Sequence, residues 1–507
     1  MSATLDAGRD GPVVAERPKP GAPRSYEFPA VHADRLANGL SVMVVDMPGR
    51  PLVSASLILP GGVSEEPADK AGATVLAARA LTEGTEEHDA IALVEATERL
   101  GASLHADAGW DALSIVVDVP AARLAPALEL AAEVLLRPTF PEHEVDRLRD
   151  ERLNDLLQAK ADPRRRVDEA FIGTIYAAAS PYHRPSGGLR ETVEGLTAAD
   201  LRRTYAGLLD PGRATLVVGG DLGGQDVVGL AERLFGSWAV SASGSVAGSP
   251  VDDSASQRGR IVRVIHRPGS VQTEIRIGHR GLPRRIDDFH AVSVMGAILG
   301  GLFNSRLNMK LREEKGYTYG ASAGFDMRRG AGPFAARAAV NTEVTVPAIV
   351  DTVTELTRMR DTTVTDAELA AARDFLIGVF PLRFETAGAV VGSIGSLAVH
   401  GLGVEELIGY RARIEAVDTA AIAAAAQAHL HIDDAAIVLV GDVDAFGEAL
   451  EAARLGPIVI ERDETPGSPP TSEPDDAGPG PVDVPDEEGP TAGAEEPELP
   501  GSADEAP

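Results

Sequence analysis

A chain of 507 residues, 44% hydrophobic and 24% charged, is long enough for two or more domains with sizeable cores and has the composition of an ordinary folded protein. It contains no cysteine, which excludes disulfides, thiolate metal sites and cysteine nucleophiles. The net charge is −30, of which −14 falls in Glu461–Pro507. The acidic remainder argues against nucleic acid or an anionic membrane as partner.

In chain order, residues 1–26 read as a disordered extension, with no apolar core of signal-peptide length. No run of about 18 apolar residues occurs, so no transmembrane helix is expected and a cytoplasmic location is the default. A first α+β domain is predicted over 27–240. Its strands fall at GLSVMVV (39–45), VSASLIL (53–59) and ALSIVVDV (112–119), each rich in β-branched residues. Helices are predicted over 66–83, 88–100, 121–137 and 141–160. In the third, Leu124, Leu128, Ala131 and Leu135 make an apolar face. In the fourth, Pro141 suits the first turn, and Val145, Leu148, Leu153 and Leu156 form the buried stripe.

The segment 241–258, SASGSVAGSPVDDSASQR, has linker composition. A second α+β domain is predicted over 259–455. The two halves end alike: ATLVVGGDL (214–222) and AAIVLVGDV (435–443) are apolar strands closing on Gly-Asp, 221 residues apart. Each follows a helix opened by a capping residue, Thr197 in the first half and Asp418 in the second. Matching order and position indicate an internal duplication, and strands mixed with helices without strict alternation indicate α+β rather than a doubly wound parallel sheet. Residues 456–507 are predicted to be a disordered acidic tail. From Glu461 onward they hold 15 acids, one base and 11 prolines, which cannot bury enough surface to offset chain entropy.

Chemistry is sparse. His429 and His431 are the closest histidine pair and are expected to diverge. GAILGG (296–301) lacks the Gly-Lys-Ser/Thr of a phosphate loop, so its glycines are expected to permit close backbone approach. In GGLFNSRLNMKLREEKGYTYGASAGF (300–325), Asn304 is expected to cap a helix with Leu307 and Leu311 inward and Gly316 at its end. Arg312 in the last turn and Tyr319 on the emerging strand can donate hydrogen bonds to a carbonyl or oxyanion. A surface arginine and a half-buried strand tyrosine would satisfy the same pattern.

Four stretches in this order carry a resemblance: ANGLSVMVVDMPGRPLVSASLILPGG, SPYHRPSGGLRETVEGLTAADLRRTY, SRLNMKLREEKGYTYG and TDAELAAARDFLIGVFPLRFET. Over about residues 30 to 450 the chain resembles the insulinase/pitrilysin family of zinc metallopeptidases, on the processing-peptidase-like branch. The resemblance implies paired α+β domains that form half of a chamber. It also implies a catalytic helix bearing H-x-x-E-H, in which two histidines one turn apart hold zinc and the glutamate activates water. Aligned through Gly72, Leu81 and Gly84-Thr85, those positions hold Val75, Leu76, Ala77, Ala78 and Arg79, and the family's spacing to its distal glutamate reaches Asp155. Both histidine ligands and the base are replaced. Arg79 brings a fixed positive charge where the cation would sit, and an Arg79–Asp155 ion pair is expected there.

The family's second-domain arginine and tyrosine, which hold the substrate backbone, match Arg312 and Tyr319. The resemblance therefore implies a subunit with no catalytic residues and no metal of its own. It would bind substrate peptides and complete a peptidase site with a homologous H-x-x-E-H partner that carries the zinc. The alternative is a stand-alone pseudopeptidase scaffold without a protease partner.

Overall fold

A computed structural model describes residues 21, 25–49, 51–239, 251–256 and 259–462. The first half is built on six strands: β1 (His32–Arg35), β2 (Ser41–Asp46), β3 (Leu52–Pro60), β4 (Ser103–Ala108), β5 (Ala112–Pro120) and β6 (Thr215–Gly220). They lie in the order β1-β2-β6-β3-β5-β4, antiparallel except for β2 against β6. The second half has β7 (Ile261–His266), β8 (Gln272–Arg280), β9 (Ala321–Phe325), β10 (Pro333–Asn341), β11 (Ala436–Gly441) and β12 (Ile458–Arg462), in the order β12-β7-β11-β8-β10-β9. Five strands of each sheet correspond one to one. The sixth differs: β1 enters from the N-terminal side and runs antiparallel to β2, whereas β12 comes from the C-terminal side and runs parallel to β7. The fold is α+β, with two mixed sheets and packed helices.

Helices α1 (Ala73–Ala80), α2 (Ala90–Arg99), α3 (Leu124–Leu136) and α4 (Glu142–Ala161) fall in the predicted segments, while α5 (Pro163–Ile175), which the sequence reading did not include, starts at the capping Asp162 directly after α4. The continuous segment 66–83 is corrected. Gly72 sits at φ +97 with Gly187 O 2.8 Å from where a Cβ would lie, so the chain turns there. Two 3₁₀ turns, Val63–Glu65 and Ala68–Lys70, precede a shorter α1. Strands β1 and β4 escape sequence reading because one is short and wholly exposed and the other alternates small and polar residues. Both predicted caps form, Thr197 receiving Asp200 N–H and Asp418 receiving Ala421 N–H. GAILGG is a helical turn in which a Cβ on Gly300 would lie 2.1 Å from Ala323 N, the close approach expected of it.

The halves interlock. Helix α5 packs on β8 and β11 of the second sheet, and the second-half helix Ala387–Val399 packs on β3 and β6 of the first. Val167, Phe171 and Ile175 share a core with Val438 and Val440, while Val390, Val391 and Ile394 share one with Ile58 and Val217. Each central strand is therefore covered on both faces, so β6 and β11 are buried throughout and read as unbroken apolar runs.

Three boundaries move. Tyr26, assigned to the disordered extension, packs its ring against Phe380 and Phe384. Within the linker, Asp253 accepts hydrogen bonds from Ala331 N–H at 2.6 Å and from Arg280, so 251–256 is packed; 241–250 and 257–258 lie outside the described residues. The tail's first residues form β12, held by Glu461 paired with Arg263 at 2.6 Å, and the chain from 463 lies outside the described residues.

Candidate functional site

Helix α1 is seated from its N-terminus. The buried Glu66 carboxylate accepts the N–H groups of Gly72, at 3.0 Å, and of Thr74, doing the work of the N-cap side chain that glycine lacks. Burial pushes the Glu66 carboxyl up, opposed by those donors and by Arg184. Nothing in the sequence reading pointed to Glu66; its only signal is an acid placed shortly before an apolar helix with no capping residue. Of the motif positions, Ala78 is buried, Val75 half-buried, and Arg79 reaches outward with 42% of its side chain exposed.

The expected Arg79–Asp155 pair does not form. Arg79 Nη2 donates to Glu151 Oε2 at 2.8 Å, one turn earlier on α4, while Asp155 accepts from Arg165 at 2.7 Å and from Arg152. The reason is competition: Asp155 lies within reach of Arg152 on its own helix and Arg165 on α5, which leaves Glu151 for Arg79. Glu151 also accepts from Arg147 at 2.6 Å, and Arg147 reaches Glu83 and Glu144. The Arg79 hydrogen bond is the main cause holding Glu151 below the usual carboxylate range, and the Arg165 hydrogen bond does the same for Asp155.

In the second half, the Arg312 segment is a helix from Arg306 that widens into a π turn over Met309–Glu314. Ser305, not Asn304, stands at its N-cap position. Leu307 and Leu311 are buried, and Gly316 at φ +63 ends it, with Gly316 N–H on Arg312 O at 3.0 Å. Asn308 ties the segment to its surroundings, donating to Phe303 O and accepting from Ala321 N–H, and Arg306 pairs with Glu368. Arg312 lies over the Phe303 ring at 4.7 Å and beside Glu313 at 3.3 Å. Tyr319 is not on β9 but in the loop before it, 93% exposed, and its hydroxyl makes no hydrogen bond among the described residues. No hydrogen bond or ion pair links Arg312 or Tyr319 to Arg79, Glu151 or Asp155 among the described residues.

Comparison with known proteins adds the family. The insulinase (peptidase family M16) pattern matches residues 41–183, and the peptidase M16 inactive domain matches 195–376. The chain belongs to the insulinase family. An uncharacterized zinc protease of Mycobacterium tuberculosis is 25% identical over 360 residues, 71% of this chain and 82% of that protein. The non-peptidase homolog YmxG of Helicobacter pylori is 24% identical over 343 residues, 66% of this chain and 76% of that protein. Among solved structures, a peptidase M16 inactive domain from Pseudomonas fluorescens superposes with a TM-score of 0.74 at 25% identity, covering 81% of this chain and 98% of that one. A protease from Helicobacter pylori matches with a TM-score of 0.75 at 19% identity, over 82% of this chain and all of that one.

Within the insulinase family, zinc needs two imidazoles on the motif helix and a carboxylate facing them. Here Val75 and Ala78 supply no donor atom, Arg79 supplies a cation, and the facing carboxylates Glu151 and Asp155 are already held by arginines. These residues do not fit the metal. Two other acid–histidine groups are also engaged. His88 is bonded to Glu133 at 2.9 Å, and His266 accepts Val443 N–H. The His429 ring bonds Asp288, whereas the His431 ring lies 5.1 Å from that of His279, so the two side chains meet different partners.

Proposed function

We propose that this insulinase-family protein is a non-catalytic, substrate-binding subunit that completes a peptidase site together with a homologous, zinc-bearing H-x-x-E-H subunit. One contrast carries the reading. The metal-site positions are closed by the Arg79–Glu151 pair, whereas Arg312 and Tyr319 sit on a braced platform with hydrogen-bond donors turned outward. The first arrangement has lost hydrolytic chemistry; the second keeps what is needed to hold a peptide strand and to stabilise a developing oxyanion. The similarity to a relative named a non-peptidase homolog supports the non-catalytic part of the reading.

The test is reconstitution. Neither chain alone should cleave peptides, and the pair should. Tyr319→Phe deletes one exposed hydroxyl with no hydrogen-bond partner among the described residues, so folding should be unchanged while turnover falls roughly 100- to 1,000-fold, the loss typical of one oxyanion donor. A reconstituted pair that cleaves at the wild-type rate with Phe at 319 would leave the stand-alone scaffold as the better reading.

A further inference from the structure

The end of α4, α5 and the β9–β10 hairpin enclose a cleft of about 320 Å³ between the two halves. Its wall combines apolar surface from Trp110, Phe171 and Ile172 with the guanidinium groups of Arg328 and Arg337. Arg328 is only 7% exposed and is flanked by rings, its guanidinium carbon 4.2 Å from the centroid of Trp110 and 4.6 Å from that of Tyr182. Its Nε and Nη2 both donate to a single oxygen of Asp326, at 3.0 and 2.6 Å. Its Nη1 is buried with no acceptor among the described residues. A buried charged donor without a partner costs stability and calls for an explanation. The side chain of Arg337, on β10, lines the same cleft, is exposed, and makes no hydrogen bond or ion pair among the described residues.

We propose that this cleft binds a carboxylate carried by a peptide, with the exposed Arg337 as the donor, the buried charge of Arg328 in the wall behind it and Trp110 as apolar surface. Guanidinium groups present planar N–H forks that match a carboxylate. The other charged wall groups define the occupant further. Arg152 and Arg165 are engaged with Asp155, Asp168 with Arg276 and Asp326 with Arg328, whereas Glu169 lines the same space without an arginine partner among the described residues. That unpaired acid repels a multiply charged anion such as phosphate but tolerates a single carboxylate held on the far side. Arg152 belongs to the same helix as Glu151 and Asp155, so the cleft adjoins the closed metal site, and the inference rests on the substrate-binding reading of the chain.

The test uses the full chain without a partner, so it does not depend on peptidase activity. Calorimetric titration would compare two capped peptides, acetyl-Gly-Leu-Asp-Leu-Gly-amide and its Asn counterpart, and two Gly/Leu peptides ending in a free acid or an amide. Trp110 is one of only two tryptophans, so its emission reports the site. The expected result is binding of at least one carboxylate peptide, at least tenfold tighter than its neutral match, with a change in tryptophan emission and no competition from inorganic phosphate at equal concentration. Whichever of the two carboxylate peptides binds identifies the source as side chain or chain end. Arg337→Gln, which removes no hydrogen bond or ion pair among the described residues, should weaken that binding at least tenfold without changing the unfolding midpoint. Equal affinity for carboxylate and neutral peptides, no binding of either, or an unchanged affinity in Arg337→Gln would overturn the proposal. Reconstituted activity lost in Tyr319→Phe would still stand in those cases, so the two readings fail separately.

Discussion

The Arg79–Glu151 pair gives the most direct test of how the metal site was closed. At 2.8 Å two unit charges in a water-like medium attract by about 1.5 kcal/mol. Both side chains are more than 40% exposed, so ordering two long side chains and ionic screening reduce the net gain to roughly 0.2–1 kcal/mol. A double-mutant cycle of Arg79→Met and Glu151→Gln, read by urea unfolding at neutral pH, should return a coupling in that range. A parallel cycle of Arg79→Met with Asp155→Asn should return less, because Asp155 is held by Arg165 and Arg152. Raising salt from 0.1 to 1 M shortens the screening length from about 10 to about 3 Å and should shrink the Arg79–Glu151 term. The pH dependence has a fixed sign. Glu151 is depressed in the folded state, so its contribution is complete above the ordinary carboxylate value and is lost as pH falls through the lowered one. A larger coupling to Asp155 than to Glu151 would refute the arrangement. So would a coupling that grows in acid.

Three further outcomes are expected. The purified chain should carry no stoichiometric zinc by elemental analysis; about one tightly held zinc per chain would show that other residues make a site. His279 is buried, with Nδ1–H donating to Arg280 O at 2.7 Å and Nε2 accepting His431 N–H at 3.0 Å, a pattern only the neutral ring satisfies. Burial is the main cause lowering its pKa from 6.5 to about 4, so between those values the unfolded state binds the extra proton. Stability should fall by up to about 3 kcal/mol as pH drops through that window, and His279→Gln should flatten the slope. A chain ending at Arg462 should fold like the full one. A chain ending at Pro457 loses β12 and the Glu461–Arg263 pair and should lose about 1–3 kcal/mol in chemical denaturation.

Local chemistry decided what could be read along the sequence. The caps at Thr197 and Asp418, the buried stripe of α3 and the apolar strands closing on Gly-Asp depend on contacts within a few residues, which periodicity records. The loss of both zinc ligands and the base is equally local, because valine and alanine have no donor atom and arginine is a fixed cation wherever they lie. Which carboxylate meets Arg79 is a different kind of question. Glu151 and Asp155 share a helix face one turn apart, and only the placement of Arg165 on α5 assigns each to its partner. The same holds for the exchange of α5 and Ala387–Val399 between halves, for β12 built from residues that read as tail, and for the buried Arg328 beside Trp110. Each joins residues far apart in the chain. Side-chain spacing along a segment fixes which face is buried, but the chain's path through space fixes what that face meets.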